Sequence, residues 1–127
     1  MSAILDSSVL LALIFNEPGA DVAAGLIATG ARVGAVNLAE VATKLDEIGY
    51  SREDMDETLS SFVAAAVPFE AHHALAAGRL RRATRDAGLS LGDRACLAVA
   101  AAEGVAAVTA DRAWGALDLG LDIEVIR

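Results

Sequence analysis

Apolar positions along the chain fall alternately into short continuous runs and into longer stretches with helical spacing. The short runs predict strands at residues 3–5, 32–36, 67–69, 105–109 and 123–126. Helical spacing predicts helices at 9–15, 20–28, 37–49, 51–66, 71–87, 92–103 and 111–117. Short apolar strands separated by helices predict an α/β fold, a three-layer α/β/α sandwich with a short-stranded, mainly parallel central sheet. In such sheets, functional residues lie at the carboxyl ends of the strands.

Composition narrows the class of protein only slightly. At 127 residues the chain fits a single domain, here 1–127, and 55% hydrophobic residues argue against disorder. The single cysteine, Cys96, fits a buried position and a reducing cytoplasm, and we expect no signal peptide or membrane span. A net charge of −8 argues against sequence-blind nucleic-acid binding. It leaves nuclease chemistry open, because a bound divalent cation reverses the local charge.

Four acidic residues fall at or just after the predicted carboxyl edge of the sheet. Asp6 ends the first strand and Asp111 follows the strand at 105–109, while Glu40 and Asp93 occupy the first turns of predicted helices. Carboxylates that follow the same sheet edge can converge on one point. Magnesium binds carboxylate oxygens while it keeps several waters. These four residues are therefore the candidate catalytic residues, with Mg²⁺ as the candidate cofactor.

Each of the four acidic residues, taken singly, also has a purely structural interpretation. Asn37 and Ser90 precede Glu40 and Asp93 by three residues, which is the spacing of a capping box, and the other two suit N-cap positions. However, Ser, Thr or Asn would cap equally well. Two carboxylates about 5 Å apart repel by roughly 3 kcal/mol at an effective dielectric near 20. If the fold brings all four together, a divalent cation is the simplest group to offset that repulsion.

Four segments of the chain carry motifs at a regular order and spacing. They are Leu5-Asp6-Ser7-Ser8-Val9-Leu10, Asn37-Leu38-Ala39-Glu40-Val41, Leu89-Ser90-Leu91-Gly92-Asp93-Arg94-Ala95-Cys96-Leu97-Ala98 and Thr109-Ala110-Asp111-Arg112-Ala113-Trp114. Together they resemble the successive motifs of the VapC toxins, which are PIN-domain ribonucleases of bacterial toxin–antitoxin pairs. The resemblance covers essentially the whole chain.

The resemblance implies a PIN-like sandwich, Mg²⁺ or Mn²⁺ as cofactor, and RNA cleavage that leaves a 3′-hydroxyl and a 5′-phosphate. It also implies a cognate VapB-like antitoxin and a homodimer. Asp6, Glu40, Asp93 and Asp111 match the acidic positions of the family, and Thr109 matches a hydroxyl that members often place beside the metal. A metal ion supplies an activated water and neutralises charge on the phosphate.

We expect the four acidic residues to have different roles. Asp6 and Asp93 are predicted as direct metal ligands. Glu40 is predicted as a ligand or a water-positioning residue, and Asp111 as the fourth acidic member.

Several arginines are candidates for binding the RNA phosphates. Arg79, Arg81, Arg82 and Arg85 form the only basic cluster, on the outer faces of a helix with a predicted buried stripe at Ala76, Leu80, Ala83 and Ala87. This cluster is either a solvated helix face or a phosphate-contacting patch, with Arg79 and Arg82 as candidate contacts. Arg94 and Arg112 each follow a candidate ligand and either contact the substrate or brace the acidic cluster.

Two other classes of protein share this fold type. A phospho-acceptor signalling domain also has aspartates at the sheet edge, but it needs a lysine after the last strands. The only lysine here, Lys44, lies within the helix that carries Glu40. A non-catalytic interaction module is the other alternative, and the intact acidic set argues against it.

Overall fold

The computed structural model describes residues 2–127, in which strands and helices alternate along the chain. The strands are β1 (Ala3–Leu5), β2 (Arg32–Val33), β3 (Ala106–Thr109) and β4 (Ile123–Val125). The helices are α1 (Ser7–Ile14), α2 (Ala20–Ala28), α3 (Ala35–Glu47), α4 (Arg52–Ala64), α5 (Ala71–Arg79), α6 (Arg81–Thr84) and α7 (Leu91–Glu103), with a short 3-10 helix at Arg112–Ala116. In this range no helix is both long and apolar enough to span a bilayer.

The four strands form one parallel sheet in the order β2-β1-β3-β4. Leu5 of β1 is in register with Val33 of β2 on one side and with Val108 of β3 on the other. The chain therefore leaves β1 toward one edge of the sheet for β2 and returns to its other side for β3. This reversal is a topological switch point, where parallel sheets open a crevice at their carboxyl ends.

Alternate residues of the strands face two separate cores, one on each side of the sheet. Leu5 and Val108 pack with residues of α1 to α4, such as Val41. Ile4 packs on the opposite face, with Leu97 of α7 and with the fully buried Trp114. Side chains alternate across a strand, so the three-residue β1 contributes to both cores. The predicted α/β class and three-layer arrangement are confirmed.

The region between β2 and α3 differs from the sequence prediction. The strand predicted at 32–36 ends at Val33, because α3 begins at Ala35 with Gly34 as its N-cap residue. Val67 accepts a hydrogen bond from the Ala35 amide, and its own amide donates to Val33. The strand predicted at 67–69 is reduced to this single bridge, since the next residue is a proline, which has no N–H to continue the ladder. Asn37 therefore lies within the first turn of α3 and does not cap it.

The helix predicted at 71–87 is two helices, because α5 ends at Arg79 and α6 begins two residues later. Arg94 Nη1 of α7 donates to the Ala77 carbonyl at 3.0 Å, and the hydroxyl of Thr84 donates to the Leu80 carbonyl at 2.8 Å. These side chains satisfy carbonyl groups at the break. The predicted buried stripe is also wrong: the buried residues of this region are His73, Ala77 and Thr84. Of the predicted stripe, Ala83 is exposed and Ala76, Leu80 and Ala87 are half-buried.

Candidate active site

The candidate site is built on the two central strands. Asp6 follows β1 directly, and its amide donates to the carbonyl of Val108 on β3 at 2.8 Å. Thr109, the last residue of β3, lies beside it. Both residues are at the switch point of the sheet, and both side chains are buried, Asp6 with 3% of its surface exposed.

The Asp6 carboxylate is held by two hydroxyl groups. Ser8 Oγ donates to Asp6 Oδ2 at 2.7 Å, and Thr109 Oγ1 donates to the same oxygen at 3.1 Å. The two hydroxyl oxygens accept hydrogen bonds from the amides of Ala110 and Asp111, at 2.9 and 3.0 Å. Backbone groups that follow β3 therefore orient both hydroxyls toward Oδ2. The other oxygen, Oδ1, receives only a long contact of 3.4 Å from Asn37 Nδ2.

Burial raises the pKa of the Asp6 carboxyl from 3.8 to about 6. The hydrogen bond from Ser8 lowers the pKa, the negative charge of Asp93 raises it, the bond from Thr109 lowers it, and the charge of Glu40 raises it. The three carboxylates are thus close enough for their charges to interact. At neutral pH the Asp6 carboxyl is therefore still mostly ionised, although burial and the two neighbouring charges disfavour the ionised form.

This raised pKa predicts how stability depends on pH in the presence of a chelator. The folded state binds the Asp6 proton more tightly than the unfolded state does, so the free energy of unfolding should rise as pH falls from 7 through 6 toward 4. The gain from this group is at most about 3 kcal/mol. Denaturant unfolding of wild type and Asp6→Asn at several pH values isolates the contribution of Asp6 to the free energy of unfolding. The variant should be the more stable protein at pH 7, and the difference should shrink with acid; a difference that is constant with pH would contradict the assignment.

Glu40 reaches the site from the second turn of α3 and packs against the start of α7. The side-chain amide of Asn37, itself buried, donates to Glu40 Oε1 at 2.9 Å and to the Gly92 carbonyl at 3.1 Å. A Cβ atom added to Gly92 would overlap the Glu40 carboxylate. The predicted capping box of Asn37 with Glu40 is therefore wrong, and the bond between them lies inside the site.

Asp93 combines a capping role in α7 with a place in the acidic group around Asp6. It closes a capping box on α7: the Ser90 amide donates to Asp93 Oδ2 at 2.9 Å, and the Asp93 amide donates to Ser90 Oγ at 3.2 Å. At the same time its charge acts on Asp6. The capping box that the sequence predicts here is confirmed, and it fixes the carboxylate beside the cluster.

The surroundings of Asp111 differ from those of the other three carboxylates. It is exposed, and its Oδ1 accepts from the Ala113 amide at 3.0 Å, so it caps the 3-10 helix. Its charge is not among those that raise the pKa of Asp6. The structure thus brings together Asp6, Glu40 and Asp93, and it places Asp111 at the rim.

The candidate substrate-binding residues differ in their burial and in their hydrogen bonds. Thr109 is fully buried, with its hydroxyl committed to Asp6. Arg94 is half-buried and its Nη1 is bound to the end of α5, whereas Arg112 is exposed and its Nε donates to the Arg127 carbonyl at 3.1 Å. Arg79 and Arg82 are exposed to solvent. Arg112 is thus the candidate arginine that is both close in sequence to the site and open to solvent.

The donor atoms around Asp6 fit a hard divalent cation. Among residues 2–127 no three His, Cys, Asp or Glu side chains form a ready-made metal cage. Magnesium does not need one, because it takes one or two carboxylates and keeps several waters. Glu40 Oε2 and Asp93 Oδ1 accept no hydrogen bond from any residue in that range, and Asp6 Oδ1 accepts only the long one. Oxygen ligands of this kind suit Mg²⁺ and Mn²⁺.

Three residues of the site have no site role predicted from the sequence. Ser8 and Asn37 orient carboxylates, and Gly92 leaves space for one. Asn37 offered one signal, a polar residue within an otherwise apolar stretch at the start of a helix. Ser8 and Gly92 offered none, because serine and glycine are common at helix starts.

The chain is similar to one known protein family and to several solved structures. The PIN domain family model matches residues 3–119. No curated protein sequence matches the chain. Among solved structures, VapBC2 from Rickettsia felis bound to a promoter DNA fragment has a TM-score of 0.74 at 19% identity and covers 98% of each chain. A toxin–antitoxin complex from Klebsiella pneumoniae has a TM-score of 0.75 at 17% identity, again over 98% of each chain.

A third match is DNA-bound VapBC from Salmonella typhimurium, with a TM-score of 0.75 at 16% identity over 100% of this chain and 99% of that one. At these identities the structures demonstrate a shared fold. The family model, which covers most of the chain, confirms the PIN-domain part of the resemblance. The chain belongs to the PIN domain family.

Proposed function

We propose that this chain is a divalent-metal-dependent endoribonuclease, the VapC-type toxin of a type II toxin–antitoxin pair. The observation that carries this proposal is the group around Asp6. A buried carboxylate at the switch point of the sheet interacts with the charges of Glu40 and Asp93, and an oxygen of each is left for a cation. PIN family membership supports nuclease chemistry, and the structural relatives that are toxin–antitoxin complexes support the toxin role.

In this proposal Asp6 and Asp93 hold the cation, and Glu40 either holds it or orients a water. When bound, the cation supplies Lewis-acid activation of the attacking water and neutralises charge on the phosphate. Ser8 and Thr109 keep the Asp6 carboxylate in one orientation. The capping box of α7 does the same for Asp93. Orientation by fixed hydrogen bonds matters, because ligands that need no rearrangement bind more tightly.

RNA must reach this acidic site across a protein of net charge −8. An open cavity of about 540 Å³ borders the site beside Ser8 and Asp111, and Arg112 and Arg127 line it. Guanidinium groups bind phosphate in two-pronged contacts. We assign Arg112 to the phosphate of the substrate on this side and the exposed basic cluster of α5 and α6 to more distant phosphates.

The basic cluster predicts a specific dependence of RNA binding on salt. Replacing Arg79, Arg81, Arg82 and Arg85 by glutamine should weaken binding and flatten the plot of log K against log salt, by about 0.7 for each single-strand phosphate that the variant no longer binds. Binding is measured with an inactive Asp6→Asn background, so that the RNA stays intact. Arg52→Gln at the start of α4 is the matched control and should leave the slope unchanged. A slope equal to that of the parent would show that the cluster is a solvated helix face that does not contact the RNA phosphates.

A protein partner of the VapB-like antitoxin class follows from the same proposal. An apolar concavity of about 570 Å³ lies between α3 and α4 and is lined by residues that include Leu38, Met55, Leu59 and the exposed Val63. It is lined in part by α3, the helix that also carries Glu40. A small protein encoded beside this gene should inhibit wild type and fail to inhibit Val63→Asp. The homodimer stays a prediction, which the mass of the purified chain in solution checks.

The test of the proposed activity is cleavage of RNA by the purified chain. Cleavage should require Mg²⁺ or Mn²⁺, stop in a chelator and return when the cation is restored in excess. The products should carry a 5′-phosphate and a 3′-hydroxyl. Cleavage that continues in the chelator would refute the metal mechanism, and a chain that cleaves no RNA under any of these conditions would refute the activity.

A further inference from the structure

Asn37 has surroundings that packing alone does not explain. It is a polar residue with only 1% of its surface exposed, and its amide nitrogen faces three oxygens, those of Glu40, Gly92 and Asp6. The amide oxygen, Oδ1, has no hydrogen-bond partner among residues 2–127. Reversing the amide would turn an oxygen toward three oxygens, so the surroundings fix its orientation. A buried oxygen without a partner lowers stability, which points to a role in holding its neighbours.

Gly92 is the second unusual position, and its backbone does not require glycine. It lies in the first turn of α7, where alanine is normally the better helix former. The space that its Cβ would take is occupied by the Glu40 carboxylate. By contrast, Gly25 in α2 and Gly78 in α5 have open space at the same point. The neighbour, and not the local conformation, is what excludes a side chain at Gly92.

We infer that Asn37 and Gly92 are positioning residues that together hold the Glu40 carboxylate beside Asp6 and Asp93. Asn37 holds it by a hydrogen bond and ties it to the backbone of α7, and Gly92 holds it by leaving the space that it fills. We refer to this pair as the Glu40 clamp. Its role toward a cation rests on the proposed function, whereas the clamp itself is a property of the folded chain and is tested separately.

The clamp is tested first without any metal. The chain has two asparagines, Asn16 and Asn37, and no glutamine, so the side-chain amide region of its NMR spectrum holds two pairs of signals. Asn16 is exposed and serves as an internal control. The Asn37 pair should exchange slowly with water, and Gly92→Ala should move these signals and speed their exchange. Gly25→Ala should change neither. Unchanged Asn37 signals in Gly92→Ala would overturn the clamp.

Calorimetric titration with Mg²⁺ then tests what the clamp does. Gly92→Ala and Asn37→Ala should each weaken Mg²⁺ binding by about 10- to 100-fold, the usual effect of losing a group that orients a ligand. Gly25→Ala should leave the affinity unchanged. Gly92→Ala displaces only the end of the flexible Glu40 side chain and adds a better helix former to α7, so it should stay folded. A thermal melt of each variant in chelator shows that weaker binding is not a sign of unfolding.

A double-mutant cycle establishes whether both residues act through Glu40. In a Glu40→Ala background there is no carboxylate to hold, so neither Gly92→Ala nor Asn37→Ala should weaken Mg²⁺ binding further. Reductions in affinity as large as those in the wild-type background would overturn the inference. If wild type itself binds no Mg²⁺, the metal-dependent function fails, and the amide signals of Asn37 alone decide for or against the clamp.

Discussion

Replacing Asp6 by asparagine is expected to lower divalent-dependent RNA cleavage by more than about 100-fold. Changing a residue that only orients a metal ligand costs about 10- to 100-fold, and loss of a ligand should exceed this. The neutral amide can still accept the hydrogen bonds of Ser8 and Thr109, so the variant should fold. Gel assays of RNA cleavage across a range of Mg²⁺ concentrations measure the effect.

Asp111→Asn is the informative comparison for Asp6→Asn. Asp111 lies at the rim and caps the 3-10 helix, a task that asparagine performs equally well. Its replacement should therefore reduce cleavage less than the replacement of Asp6 does. Equal reductions would show that Asp111 belongs to the ligand set. An Asp6→Asn protein with the activity of wild type would remove Asp6 from the mechanism.

Asp93→Asn is expected to separate metal binding from helix capping. An asparagine oxygen can accept the same bond from the Ser90 amide, so the capping box should persist. Removing the charge relieves repulsion with Asp6, and the chelated variant should melt at the same temperature as wild type or higher. Magnesium at about 100 times its Kd should stabilise wild type by about 2.7 kcal/mol and stabilise the variant far less.

Asp54→Asn is the matched control for Asp93→Asn. Asp54 holds the same position in α4 after the capping residue Ser51, and it is exposed. Its replacement should cost no more than about 1 kcal/mol, with or without magnesium. Thermal melts of the three proteins in magnesium and in chelator make the comparison. An Asp93→Asn protein that melts lower in chelator and responds to magnesium as wild type does would contradict the ligand assignment.

Much of the fold follows from local pattern, and the errors have local causes. The apolar runs predict all four strands of the sheet. The signal is strongest for β1 and β3, which are fully buried and continuously apolar or nearly so. The sequence pattern misplaces the start of α3 because Asn37 and Glu40 have the spacing of a capping box, whereas the helix begins at Ala35. The actual N-cap residue, Gly34, carries no side chain that could signal a cap. The break between α5 and α6 involves Arg94, which lies 17 residues from Ala77 along the chain.

The residues of the site also divide into those that the sequence predicts and those that it does not. Asp111, which the sequence groups with the other acidic residues, lies at the rim. The convergence of Asp6, Glu40 and Asp93 was predictable because parallel sheets place their functional side chains at the carboxyl ends of the strands. Asn37 and Gly92 were not, since what they do depends on α3 and α7 lying side by side. The bond from Asn37 to the Gly92 carbonyl and the fit of the Glu40 carboxylate against Gly92 are contacts between these two helices. No pattern within either segment encodes them.

The position of Asp6 has a consequence for any selection applied to this protein. Its ionised carboxylate is buried at the end of the central strand, where burial and two neighbouring charges oppose it. A library screened for thermal resistance without divalent cations would therefore favour neutral residues at this position, and these variants lack the carboxylate that the proposed mechanism needs. In excess magnesium, a screen of the same library would favour the carboxylate, because an ion bound to the folded protein stabilises it. The ion present during a screen thus determines whether gains in stability retain the carboxylate at Asp6.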